Sequence, residues 1–175
     1  MLESAYFATG CFWGAERRFG QMSGVVQTGV GYMGGVRANP SYEQVCTGAT
    51  GHAETVFVQF DPSVIGYTDL LKEFWTMHDP TTLNAQGNDI GSQYRSAIFV
   101  TSTVQQASAL ATKEIYQREI TDAGYGNIVT EILPEQGHTY WPAEEYHQKY
   151  LQKNPNGYDC HSSTGVAFPK ENHAR

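Results

Sequence analysis

The chain is predicted to fold as a two-layer α/β sandwich in which some strands are antiparallel. Short β-rich runs alternate with stretches of helical period along the chain. Several connections are too short for the crossover that a parallel pair needs. Its 175 residues, 40% hydrophobic and 17% charged, suit one soluble globular domain with a substantial core.

Ser4–Ala8 reads as the first strand, ended by Thr9-Gly10, and a helix follows over Phe12–Phe19. Val25–Tyr32 is a strand closed by Gly34-Gly35. Residues 36–51 are loop, with a turn at Asn39-Pro40 and a single helical turn over Tyr42–Cys46. His52–Phe60 alternates in a β-rich pattern that Asp61-Pro62 stops. Thr68–His78 places Leu70, Leu71, Phe74, Trp75 and His78 on one helical stripe. Asp79–Gly91 is polar loop, and Tyr94–Val100 is the next strand. Ser102 with Gln105 resembles a capping box opening the longest helix, Thr103–Ile120. Asn127–Leu133 is another strand. Pro142 suits the first position of a helix reaching Lys153, with Ala143, Tyr146, Tyr150 and Leu151 inward. Asn154-Pro155-Asn156-Gly157 breaks it, and residues 154–175 form an irregular tail of one domain spanning 1–175.

Eleven Lys+Arg against eighteen Asp+Glu give a net charge of −7, which excludes a chain-wide footprint for nucleic acid or anionic membrane. Apolar runs of only a few residues predict no transmembrane helix, and Met1-Leu2-Glu3-Ser4 does not read as a signal peptide. The three cysteines, at 11, 46 and 160, are an odd count and too widely spaced for a Cys-x-x-Cys pair. Thiol chemistry in a reducing compartment, the cytoplasm, is the expectation. His52, His78 and His147 show no ligand spacing, so no metal is assigned.

Gly10-Cys11-Phe12-Trp13-Gly14-Ala15-Glu16 places a thiol on a glycine turn, between aromatic rings, at the start of a helix. Unpaired N–H groups and partial positive charge at a helix start favour a thiolate. An unperturbed thiol is only ~3% ionised at pH 7. Cys11 also fits a buried small hydrophobe. Period two puts Glu54 on the same face as Val56, Val58 and Phe60, where desolvation raises a carboxyl's pKa. Staying neutral at pH 7 means a differential of roughly 4 kcal/mol, tolerated mainly where a general acid is useful. Phe57, on the other face, breaks the alternation, so Glu54 also fits a solvent-facing strand end. Tyr42, Asp89 and Tyr94 are candidate hydrogen-bonding groups, although tyrosines more often pack and a loop aspartate more often shapes a turn. Cys160, in the irregular tail, could reach another cysteine, and Cys46 reads as packing. These residues leave open a thiol reductase, a thiol peroxidase, a cysteine hydrolase and a non-catalytic apolar cleft.

Eight segments narrow the choice. They are Gly-Cys-Phe-Trp-Gly at 10–14, Gly31-Tyr32-Met33-Gly34-Gly35, Asn39-Pro40-Ser41-Tyr42, Gly51-His52-Ala53-Glu54, His78-Asp79-Pro80, Gln86-Gly87-Asn88-Asp89, Gln93-Tyr94-Arg95-Ser96 and Ala143-Glu144-Glu145-Tyr146-His147-Gln148. In this order, along nearly all of the chain, they resemble the A-type peptide-methionine sulfoxide reductases. The resemblance implies a ferredoxin-like α+β sandwich with elaborations and a mixed, mainly antiparallel sheet. It implies reduction of the S epimer of methionine sulfoxide, free or in proteins, by a monomer without cofactor. Cys11 would attack the sulfoxide sulfur while neutral Glu54 protonates the oxygen. Tyr42 and Tyr94 would hydrogen-bond that oxygen, Asp89 would order the site, and Phe12 and Trp13 would wall the S-methyl group. The resulting Cys11 sulfenic acid would condense with Cys160, and thioredoxin would reduce the disulfide. Asp159, between Tyr158 and Cys160, and Ala85, where many members carry arginine, depart from the commoner pattern.

Overall fold

The computed structural model describes residues 1–159 and 162–170. The chain runs β1 (Glu3–Thr9), α1 (Phe12–Gly20), β2 (Val25–Met33), α2 (Tyr42–Cys46), β3 (Ala53–Phe60), α3 (Tyr67–Met77), β4 (Ala85–Gln86) and β5 (Asp89–Ile90). It continues through β6 (Ser96–Val100), α4 (Thr103–Asp122), β7 (Glu131–Pro134), β8 (Trp141–Pro142) and α5 (Tyr150–Lys153).

Six strands form one sheet in the order β7-β6-β1-β3-β2-β8. Every pair in it is antiparallel except β6–β7, giving the mixed, mainly antiparallel sheet expected. The sequence β1-α1-β2-β3-α3-β6 over the central order β6-β1-β3-β2 is the ferredoxin-like arrangement. The edge strands β7 and β8, the long α4 and the small β4–β5 hairpin elaborate it.

Alternation along the strands sorts residues to the two faces. Phe7, Val56, Val58 and Ile98 join Phe19, Leu70, Phe74, Trp75 and Tyr116 of the helices in the main core. Phe7 stacks on Phe19 with ring centroids 4.9 Å apart, fixing α1 against β1. On the other face Ala8, Met33, Ala53, Ala97 and Phe99 pack beneath Tyr6, Leu133 and Tyr140. The Phe57 ring lies 5.5 Å from Tyr6 and 6.1 Å from Tyr140. The broken alternation at Phe57 is therefore a second apolar layer.

The structure departs from the sequence reading in definite places. Tyr94 closes a 3₁₀ turn, Ser92–Tyr94, rather than opening a strand. The 79–91 loop contains the β4–β5 hairpin. The Ser102 hydroxyl accepts from the Gln105 N–H, but the Gln105 side chain accepts from Thr101 rather than from Ser102, so the box is half formed. The strand expected from Asn127 is confined to Glu131–Pro134 because Ile128 and Val129 donate to Gln117 and Pro80.

The helix expected over 142–153 is reduced to its last four residues. Pro142 instead pairs with Gly31 at the sheet edge, a position proline tolerates. A Cβ on Gly31 would stand 2.5 Å from the Trp141 carbonyl oxygen, so only glycine admits β8. The Gln148 side chain bonds both the N–H and C=O of Val30, and Lys149, at φ 52°, donates its N–H to Glu16 Oε1. These long-range bonds leave a 3₁₀ turn, Glu145–His147, and the four-residue α5. Tyr146, expected inward, is 56% exposed, whereas Ala143 and Leu151 are buried. The described tail residues carry no helix or strand; Val166 accepts from the Tyr116 hydroxyl at 2.7 Å and Phe168 stacks on the Tyr116 ring.

Candidate active site

β1 hands the chain to α1 through one turn. Gly10 has φ +101°, and a Cβ there would meet Gln86 Cγ at 2.7 Å, so the turn excludes a side chain. Cys11 is the N-cap residue of α1 and is 8% exposed. No acidic residue occupies the first turn of α1 to offset its positive end, an electrostatic setting that favours a thiolate. The next N–H, of Phe12, donates to Glu54 Oε1 at 3.2 Å.

Glu54 lies on β3 opposite Tyr32 and is 2% exposed. Burial pushes its carboxyl up to about 8, the Phe12 N–H opposes this, and the charge of Asp89 adds to it. At neutral pH the group is a carboxylic acid holding a proton beside the thiol-bearing turn.

Cys11, Phe12, Trp13, Tyr42, Glu54, Asp89, Tyr94 and Tyr158 line one pocket of about 190 Å³. Cys11, Glu54, Tyr42, Asp89, Tyr94, Phe12 and Trp13, the described candidates for catalysis and substrate binding, thus face one pocket; Cys160 lies outside the described residues. Burial pushes both the Tyr42 and Tyr94 hydroxyls well above the ordinary phenol range, and nearby Glu54 adds to this. Both stay protonated donors.

Tyr42 is delivered by α2, which starts with a complete capping box. The Gln44 N–H donates to Ser41 Oγ at 3.2 Å, and Gln44 Oε1 accepts from the Ser41 N–H at 2.9 Å. Glu144 fastens this turn to the sheet, accepting from the Tyr42 N–H and from the Tyr32 hydroxyl, each at 2.9 Å. Burial pushes the Glu144 carboxyl up, but these hydrogen bonds outweigh it and hold the group below its ordinary range. Cys46, read as packing, is exposed and interacts with the Tyr42 hydroxyl.

The aromatic wall is held from the far end of the chain. The Trp13 indole stacks on Tyr150 at 3.8 Å and 13°, and its N–H donates to His147 Nδ1 at 3.1 Å. Tyr158 donates to Asp89 Oδ1 at 3.3 Å, and Asp159 pairs with Arg17 of α1. Sequence reasoning missed Tyr158 in the pocket lining, and Glu144, His147 and Tyr150 as the groups that hold Tyr42 and Trp13 from behind it. For Glu144 and His147 the only signal was the Glu144–Gln148 run, which has no periodicity of its own. Among the described residues no group of three His, Cys, Asp or Glu could hold a metal ion, and no helix is long and apolar enough to cross a membrane.

A thiol at a helix N-cap position, facing a neutral acid and two protonated phenols, defines a thiol-dependent enzyme on a ferredoxin-like sheet. Comparison with known proteins specifies which. Residues 3–174 match the family model described as "PMSR: Peptide methionine sulfoxide reductase". "Peptide methionine sulfoxide reductase MsrA" of Streptomyces griseus is 56% identical over 168 residues, covering 96% of this chain and 76% of that one. The solved methionine sulfoxide reductase A of Corynebacterium diphtheriae superposes with a TM-score of 0.87 at 44% identity, over 97% of this chain and 84% of that one. Reduced Mxr1 from Saccharomyces cerevisiae gives 0.83 at 35% identity, over 97% and 93%. The chain belongs to the peptide methionine sulfoxide reductase family, A type.

Proposed function

We propose that this chain reduces the S epimer of methionine sulfoxide, in proteins or as the free amino acid, with thioredoxin as the final reductant. The observation that carries the reading is the Glu54 carboxyl, buried, neutral at pH 7 and bonded to the N–H that follows Cys11. A sulfoxide oxygen must leave protonated, and a neutral acid beside the attacking sulfur supplies that proton.

The Cys11 thiolate attacks the sulfoxide sulfur while Glu54 transfers its proton to the oxygen. Tyr42 and Tyr94 donate hydrogen bonds to that oxygen as charge builds on it. Phe12 and Trp13 hold the S-methyl group. The substrate's S–O bond and the Sγ–S bond formed by the attack both break as the oxygen, carrying the Glu54 proton, passes to Sγ; methionine departs and Cys11 is left as a sulfenic acid, so sulfur of the substrate is reduced and sulfur of Cys11 oxidised. The Cys160 thiol then displaces the oxygen as water and forms a Cys11–Cys160 disulfide. A dithiol reductant restores both thiols. Support for thioredoxin comes from yeast Mxr1, which has also been solved in complex with Trx2.

Stereospecific reduction of a methyl sulfoxide by the wild type and by the single variants Cys11→Ser, Cys46→Ser and Cys160→Ser tests the proposal. Wild type consumes the S epimer alone, and Cys11→Ser consumes neither. Undiminished turnover by Cys11→Ser would overturn the mechanism, and so would faster turnover of hydrogen peroxide than of sulfoxide by the wild type.

A further inference from the structure

The His147 ring is 1% exposed and surrounded by aromatic rings, of which Phe12, Trp13 and Tyr42 line the pocket. Its centroid lies 5.3 Å from Phe12, 5.7 Å from Trp13, 4.5 Å from Tyr42 and 4.2 Å from Tyr146. Its one side-chain hydrogen bond among the described residues is with Trp13: the indole N–H donates to Nδ1 at 3.1 Å. An indole N–H can only donate, so Nδ1 must be the accepting nitrogen and any ring proton of the neutral imidazole sits on Nε2. Nε2 is buried and has no partner among the described residues. A doubly protonated ring has no acceptor to offer, and burial disfavours that form while Glu144 works against the burial.

The indole itself has two tethers. Tyr150 covers one face at 3.8 Å, and His147 fixes rotation within the stacking plane through the N–H. A stack alone leaves an aromatic ring free to slide and turn, because its energy varies slowly with offset. Among the described residues, the single directional contact on the Trp13 side chain is therefore the one to His147.

We infer that His147 is a specificity-determining positioning residue: acting through Trp13, it fixes the edge of the indole that sets how large an S-alkyl group the pocket accepts. The inference rests on the proposed reading that Trp13 walls the substrate's S-methyl group. His147 touches no reacting atom and takes no part in proton transfer.

The test compares KM, the single-turnover rate and the methyl-over-ethyl sulfoxide preference in wild type, His147→Phe and His147→Asn. Phenylalanine keeps a ring but offers no acceptor, whereas asparagine places an oxygen close to where Nδ1 stood. Losing a neutral hydrogen bond in a partly buried site predicts a KM for methyl sulfoxide about 3- to 10-fold higher in His147→Phe. Its single-turnover rate at saturation stays within about twofold, since no transition-state contact is lost. Its methyl-over-ethyl preference falls by a similar factor, and His147→Asn recovers most of both losses. A merely structural role would lower stability and active fraction without moving the alkyl preference. Wild-type preference retained in His147→Phe, or asparagine no better than phenylalanine, overturns the inference and leaves the reductase reading intact. A wild type that reduces neither sulfoxide overturns both.

Discussion

Glu54 accepts a hydrogen bond from the N–H of Phe12, 42 residues away in the chain, and so binds the middle of the sheet to the first turn of α1. One contact places the acid beside the thiol and occupies an N–H that the helix start would leave unpaired.

Replacing this acid with its amide separates the two roles. Glu54→Gln keeps an oxygen that can accept from Phe12 but has no proton to give. The reductase step is expected to slow by about 10²- to 10⁴-fold, with substrate binding changed far less. Single-turnover kinetics across a range of sulfoxide concentration checks this, and an unchanged rate would remove the acid from the mechanism.

The raised Glu54 pKa also dictates a pH profile. From its ordinary 4.5 to about 8, the folded chain holds a proton that the unfolded chain has released. The associated stability is complete below about 4.5 and is lost as pH rises toward 8. The reductase step falls over the upper part of that window, as the acid ionises. Glu54→Gln should gain stability relative to wild type between pH 5 and pH 8.5, about the span over which the unfolded chain has lost the proton that the folded chain still holds. Urea midpoints at the two values measure it, and a constant difference would refute the assignment.

Cys160→Ser is expected to release about one methionine per enzyme in the first turnover, at the wild-type rate, and then to stop when thioredoxin is the reductant. Mass spectrometry should find a sulfenic acid on Cys11 in place of a disulfide. Full steady-state activity with thioredoxin would dismiss the resolving thiol.

Asp159 pairs with Arg17, on the helix that Cys11 caps, and Tyr158 donates to Asp89 in the pocket. The residue preceding Cys160 is thus held against α1. Asp159→Asn is expected to slow disulfide formation by about fivefold or less, in keeping with the ~1 kcal/mol ceiling of a partly exposed ion pair. The first reductive step should not change, and high salt should reproduce the effect in wild type. Quenched-flow thiol counting reads both steps.

How much of this was legible depended on how local each feature's cause is. Cys11 declared itself because Gly10 and the helix start lie beside it in sequence. Tyr42 lay on a recognisable turn because Ser41 and Gln44 form a box three residues apart. The Glu54 face followed from period two, and only the second apolar layer at Phe57 obscured it. The failure over 142–153 has the opposite cause. Pro142, Gln148 and Lys149 are satisfied by Gly31, Val30 and Glu16, more than a hundred residues earlier, and those bonds displace the local helix. Glu144 and His147 were hidden for the same reason, since their partners Tyr32, Tyr42 and Trp13 are as distant.

The distance between Trp13 and its two tethers carries a consequence for biosynthesis. A growing polypeptide exposes its nucleophile before the ring that flanks it can be anchored, because His147 and Tyr150 are made later. During translation the sulfur precedes its selective enclosure by more than a hundred codons. Chaperones that shield early segments would therefore also shield an immature thiol from indiscriminate oxidants.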